Sequence, residues 1–186
     1  MSTSAERPLS AEGVLRDGGS VRLRALPYDD PVAQDLVEQV QQEYVARYGG
    51  PDEAVVDPAE FLPPQGLFLV AEVDGVPAAC GAWRAMEPDA GQRKTAEIKR
   101  VYVEPGFRRR GLAQEVVARL ERGAAAAGFT TVLNTGDRQP EALALYAELG
   151  YRPVAGYGVY ACSPGAVFLG KELDPAHAKD GDPWAS

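Results

Sequence analysis

Hydrophobic and polar positions change period several times along the chain, and each change marks an element. Val21, Leu23 and Ala25 alternate with Arg22 and Arg24, the period of a half-exposed strand. Asp29-Asp30-Pro31 then opens a helix, with Asp30 as cap and Pro31 in the first turn. Val32, Leu36, Val37, Val40 and Tyr44 make one apolar stripe before Gly49-Gly50 ends it. Residues 51–66 are acidic and proline-rich and read as a loop with one helical turn near Pro58 to Leu62. Leu67 to Val73 and Val76 to Met86 read as strands joined by an Asp74-Gly75 hairpin turn, and a polar loop through Gly91 leads to a third strand near Thr95 to Val103. The period then becomes helical, with Leu112, Val116, Val117, Leu120 and Ala124 on one face as far as Gly128. Phe129 to Leu133 is a short buried strand, and Pro140 opens a helix whose Ala142, Leu145, Tyr146 and Leu149 share a face. Tyr151 to Val154 and Ala166 to Glu172 close as strands. Hairpins followed by β-α-β-α-β predict a mixed central sheet flanked by helices, a single α/β domain over residues 20–173. Residues 1–19 and 174–186 carry no sustained apolar period and read as flexible ends.

Composition narrows the chemistry. With 186 residues, 45% of them apolar and 25% charged, the chain can bury an ordinary core. Two cysteines, Cys80 and Cys162, are too few for a disulfide framework, and nothing at the start resembles a signal segment, so a reduced, cytoplasmic protein is expected. Cys80 reads as a small core residue. No apolar run approaches the roughly eighteen residues of a membrane span. The single histidine, His177, lies in the polar tail, so Ser-His-Asp, Cys-His and histidine-rich metal chemistry are set aside and no metal is expected. A net charge of −8 disfavours nucleic acid and anionic membranes as partners. Between Arg93 and Arg110, however, seven basic residues stand against two acids. That island is either a site for a polyanionic ligand or a solvated charged face.

Glu97 to Ala113 carries the most specific signal. A strand ending in Val101-Tyr102-Val103 runs through Glu104-Pro105-Gly106-Phe107 into Arg108-Arg109-Arg110-Gly111-Leu112-Ala113 and a helix. The first amides of a helix lack carbonyl partners and carry the positive end of its dipole, which suits a phosphate. Gly111 allows close approach to the main chain, and Ala113 keeps the first turn slim. Hydrogen bonds to a charged group are worth ~1.5–3 kcal/mol and exposed ion pairs ~0–1, so the amides should dominate and the arginine side chains assist. Leu112-Ala113 stands where a P-loop requires Lys-Ser/Thr, and no Gly-x-Gly-x-x-Gly follows a strand, so neither nucleotide motif is met. A glycine-containing strand-to-helix turn with no ligand is the alternative.

Arg108-x-x-Gly111-x-Ala113 resembles the Gln/Arg-x-x-Gly-x-Gly/Ala signature of the GNAT superfamily of N-acetyltransferases, and Ile98 to Pro105 looks like that family's preceding strand. Downstream, Gln139-Pro140-Glu141-Ala142-Leu143-Ala144-Leu145-Tyr146-Ala147-Glu148-Leu149-Gly150-Tyr151 is similar to its Asn-x-x-Ala-x-x-Leu-Tyr-x-x-x-Gly-Phe/Tyr segment, with Gln139 where Asn is usual. The motifs cover about residues 95–154, and the element order matches from about 20 to 172. The resemblance implies a GNAT-like mixed sheet and an acetyl-CoA cosubstrate. Its pyrophosphate would lie on the amides of Arg109, Arg110, Gly111, Leu112 and Ala113, with Arg108 alongside, and its pantetheine arm would pair with the backbone of Val101 and Val103. Asn134 would touch cofactor or substrate, or serve only as a turn residue, and Gln139 would take the Asn position.

The implied activity is direct acetyl transfer to a primary amine of a small molecule or peptide. The alternative is a non-catalytic acyl-CoA-binding module of the same fold. Glu97 lies six residues before Val103, roughly 20 Å along a strand, and the matching position in some family members is the general base; the bland reading pairs it with Lys99 or another cation. Tyr146 would protonate the leaving thiolate, or be a packed core tyrosine. The amide of Val101 would hold the oxyanion. The helix after Asp30, the 51–66 loop and the Tyr157 to Pro164 loop would bound the acceptor, and their Asp52, Glu53, Asp57, Glu60, Tyr157 and Tyr160 would suit a cationic group, although the acids serve solubility equally well. Oligomeric state is open, a homodimer included.

Overall fold

The computed structural model describes residues 10–86 and 94–174. Eight strands form one mixed sheet: β1 (Ser10–Val14), β2 (Ser20–Ala25), β3 (Gly66–Val73), β4 (Val76–Ala85), β5 (Thr95–Val103), β6 (Thr130–Gly136), β7 (Arg152–Pro153) and β8 (Ala166–Lys171). Their spatial order is β1-β2-β3-β4-β5-β6-β8-β7. Neighbours are antiparallel except β5 and β6, which are parallel and joined by the crossover helix α2 (Leu112–Ala126). Helix α1 (Pro31–Tyr48) precedes β3, and α3 (Pro140–Glu148) follows β6.

The end signals of α1 act as the sequence predicts. Asp30 accepts from the Val32 amide at 2.8 Å, Pro31 takes the first turn, and Gly49 closes the helix in the left-handed region. One face of the sheet packs on α2 and α3 through Leu69, Trp83, Ile98, Val116, Leu120 and Leu133. The other packs on α1 through Leu36, Val40, Phe68 and Tyr102, with Phe61 from a short 3₁₀ turn (Pro58–Phe61). Among the described residues, no helix is long and apolar enough to cross a membrane.

Two boundaries differ from the sequence reading. Residues 10–14, expected in a flexible end, form β1, paired with β2 from Ser10↔Arg24 to Val14↔Ser20. Leu15 is buried beneath the hairpin, and Arg22 donates to Glu12 at 2.9 Å across it. The inward positions of β1 are small residues, Ala11 and Gly13, so no apolar alternation announces the strand. Strand β6 runs to Gly136, three residues past the expected Leu133. Residues 1–9, 87–93 and 175–186, among them the Gly91 loop, Arg93 and His177, lie outside the described residues.

Two irregularities in β5 shape the molecule's centre. Pairing of β5 with β6 ends at Ile98↔Leu133, after which β5 follows β4 while β6 follows β8, so the sheet splits into a wedge. In the same stretch Cys80 faces Tyr102 but Ala82 faces Lys99, so Gly81 opposes both Arg100 and Val101, a β-bulge with Arg100 at φ 58°.

Candidate active site

The wedge holds a cavity of about 660 Å³ that runs from the start of α2, along β5, to α3. Gly111 caps α2 in the left-handed region, φ 90°, and no side chain caps the helix, so its leading amides are open to a ligand. Gly111 also meets Arg16 of the β1–β2 hairpin: a Cβ there would stand 3.1 Å from Arg16 Cγ. The Arg16 amide donates to the Arg110 carbonyl at 3.1 Å, which fixes the hairpin against this turn. Arg16 lines the cavity with Arg108, Arg109, Gly111, Leu112 and Ala113. Sequence reasoning missed Arg16 because it lay in a segment without an apolar period.

The arginine run divides its work. Arg108 donates to the Val103 carbonyl at 2.9 Å and to Glu43 at 2.6 Å, so its guanidinium bridges β5 and α1. Arg110 donates to Asp17 at 2.5 Å, tying the hairpin down, and is not among the residues lining the cavity. Val101, Val103 and Gln139 do line it, and Gln139 donates to the Tyr48 hydroxyl at 3.1 Å. Asn134 belongs to β6, its backbone paired with Phe168 of β8.

Tyr146 reaches the same cavity from α3 and is 6% exposed, its ring edge-on to Tyr151 with centroids 5.4 Å apart. Burial raises its phenol pKa well above the ordinary range, so the group stays protonated and able to donate.

Glu97 lies in an adjoining cavity of about 300 Å³, which shares Tyr44, Ile98, Lys99, Arg100, Thr135 and Gln139 with the larger one. It is buried and ion-paired as the bland reading held. Its Oε2 accepts from Arg84 Nε at 3.0 Å, and Oε1 lies 3.7 Å from Lys99 Nζ. Arg84 in turn donates to Glu60 at 2.6 Å. Tyr157 is held protonated by burial and by the charge of Glu97.

The smaller cavity is bounded by Tyr44 and Tyr48 of α1, the chain at Gly50 to Asp52, and Tyr160 with Ser163 to Ala166. Of the acids expected to greet a cation, Asp57 caps the 3₁₀ turn at the Ala59 amide, Glu60 pairs with Arg84, and Glu53 is exposed outside the cavity. Asp52 is inside but committed. It accepts from the Tyr160 hydroxyl at 2.7 Å and the Ala54 amide at 3.0 Å, and it lies 3.0 Å from Arg100. Burial opposes its charge, yet the Ala54 and Tyr160 hydrogen bonds and the neighbouring cations outweigh burial and hold its carboxyl below the usual range. Cys80 is buried, its thiol pushed up to about 12 by burial, and it donates to the Arg100 carbonyl at 3.3 Å, a core residue as expected.

Residues 33–151 match the acetyltransferase (GNAT) family model. An IAA acetyltransferase of Azospirillum brasilense is 30% identical over 151 residues, covering 81% of this chain and 95% of the relative. The GNAT domain of S. lividans PAT superposes with a TM-score of 0.69 at 21% identity, covering 88% of this chain and 97% of that one. A GNAT family acetyltransferase of Elizabethkingia anophelis, solved with acetyl-CoA bound, does so with a TM-score of 0.57 at 17% identity, covering 82% and 98%.

Proposed function

Because the chain belongs to the GNAT family of acetyltransferases, we propose that it transfers the acetyl group of acetyl-CoA directly to a primary amine of a small molecule or peptide. The observation that carries this reading is the wedge: uncapped helix amides at one end, an unpaired strand edge between, and a protonated buried phenol at the other. These residues fit the cosubstrate. The amides of Arg109, Gly111, Leu112 and Ala113, with the side chains of Arg16 and Arg109 beside them, suit a diphosphate, and the backbone of Val101 and Val103 suits an amide-bearing arm. Bound there, acetyl-CoA supplies an activated acyl group.

The chain's own groups then have three tasks. An ammonium with pKa near 10 must lose a proton before its nitrogen can form the new C–N bond, and Glu97 takes that proton, through water, on Oε1. The main-chain amide of Val101, at the bulge, holds the carbonyl oxygen as charge gathers on it. As the C–S bond breaks, the Tyr146 hydroxyl delivers a proton to sulfur; the nitrogen, still carrying one proton too many after attack, gives it up through water to recharge Tyr146, and the proton held by Glu97 leaves to solvent. Two free cysteines, Cys80 buried and Cys162 exposed, support a reducing cytoplasmic setting.

A panel of amines incubated with acetyl-CoA tests the reading. Free thiol should appear only with an acceptor present, and the acceptor should gain one acetyl group by mass. Tight CoA binding without acceptor-dependent thiol would instead identify a binding module.

A further inference from the structure

We propose that the acceptor carries a carboxylate as well as its amine, and that Lys99 and Arg100 hold this carboxylate in the smaller cavity. The inference rests on reading that cavity as the acceptor site.

The first ground is the bulge. Regular alternation would send consecutive residues of β5 to opposite faces. Around the bulge, Ile98, Val101 and Val103 pack on the α2 side and Tyr102 on the α1 side. Lys99 reaches Glu97 and Arg100 reaches Asp52, and both cations act on Asp52. Two successive cations thus share one wall, and both line the smaller cavity.

The second ground is the balance of donors and acceptors there. The acids of the cavity already have partners: Asp52 has Tyr160, the Ala54 amide and Arg100, and Glu97 has Arg84 and Lys99. The cations retain capacity. Arg100 is 2% exposed at its side chain, and its Nε and Nη1 have no hydrogen-bond acceptor; Nη1 lies 3.0 Å from Asp52 Oδ2 without the alignment of a hydrogen bond. Buried guanidinium donors left unmatched are costly. Nε and Nη1 lie on different edges of the guanidinium, so a carboxylate oxygen entering beside Arg100 would satisfy one of them with a charge-assisted hydrogen bond. Lys99, with three donors and Glu97 at 3.7 Å, adds a second point of attachment. A ligand bringing only a cation would meet no uncommitted acid. The tyrosine walls, Tyr44, Tyr48 and Tyr160, and a volume near 300 Å³ suit a small amino acid with an apolar or aromatic side chain.

Two matched comparisons test this. Phenylalanine and phenethylamine differ in the carboxylate, and kcat/KM should favour phenylalanine by at least ~10-fold, the value of one charged hydrogen bond. Calorimetry on the CoA-loaded protein should show 3-phenylpropionate binding at least ~10-fold tighter than 3-phenylpropanol, with the difference lost in Arg100→Gln. Lys99→Met should shrink it too, and it keeps the test usable if the Arg100 variant fails to fold by thermal melting. Equal or better use of phenethylamine, or equal binding of acid and alcohol, overturns the carboxylate site and leaves amine acetylation standing. Carboxylate-selective binding with neither amine acetylated upholds the site and overturns amine transfer. No acetylation and no selectivity overturns both.

Discussion

Tyr146 and Glu97 line adjoining cavities and sit in opposite surroundings. Tyr146 is walled by apolar groups that keep its proton on, while Glu97 is ion-paired with Arg84 and Lys99. A phenol acting as proton donor makes a specific demand on its variant. Tyr146→Phe should lower kcat by roughly 10²-fold or more and leave the CoA dissociation constant within about twofold, which stopped-assay turnover and calorimetry would separate. Glu97→Gln should lower kcat most at low pH, where the amine is most protonated, and lose its effect as pH approaches the amine's own pKa. A uniform loss across pH would mark Glu97 as a brace for Arg84 instead. Tyr146 was legible because its helix stripe and the Leu-Tyr pair stand in the sequence. Arg100 was not, because a bulge is a backbone event, and in sequence it is one arginine among seven basic residues.

At the level of elements, the wedge is the product of strand partners that diverge. The periodicity of β5 and α2 was readable, since each buries one regular face. Where β5 leaves β6 was not, because both strands keep a partner on their other side and their side-chain patterns continue unbroken. The turn into α2 makes the ranking of its residues testable. Gly111→Val forces a β-branched side chain into φ 90° and against Arg16, so CoA affinity should fall by more than ~100-fold. Arg110→Ala should leave affinity within a few-fold and instead loosen the hairpin slightly, because its partner is the exposed Asp17. Calorimetry and urea unfolding on the same variants check both halves, and a reversed ranking would place the arginine side chains above the amides.

For the whole molecule, burial sets the alkaline limit of stability. Tyr44, Tyr146, Tyr151 and Tyr157 are all shifted upward by burial, Tyr44 to about 12, and the Cys80 thiol is pushed up to about 12 from an ordinary 9.0. Above about pH 8.5–10 the unfolded chain releases these protons while the folded chain keeps them, so the unfolded state binds fewer protons and stability falls as pH rises. The unfolding free energy from urea titrations should be level below about pH 8 and decline above it, by up to ~1.4 kcal/mol per pH unit for each group involved. Cys80→Ala should flatten the early part of that decline, and a midpoint unchanged to pH 11 would contradict the buried assignments. The same scale shows what the N-terminal hairpin contributes. Arg16 arrives from residues that a designer of shortened proteins would discard first, yet it forms one bank of the channel beside Gly111. A chain trimmed to begin at Ser20 should fold, melt a few degrees lower, and hold CoA at least ~10-fold more weakly by calorimetry. Economy at that end of the protein would be felt as a higher Michaelis constant for the thioester, at the opposite end of the channel from Tyr146.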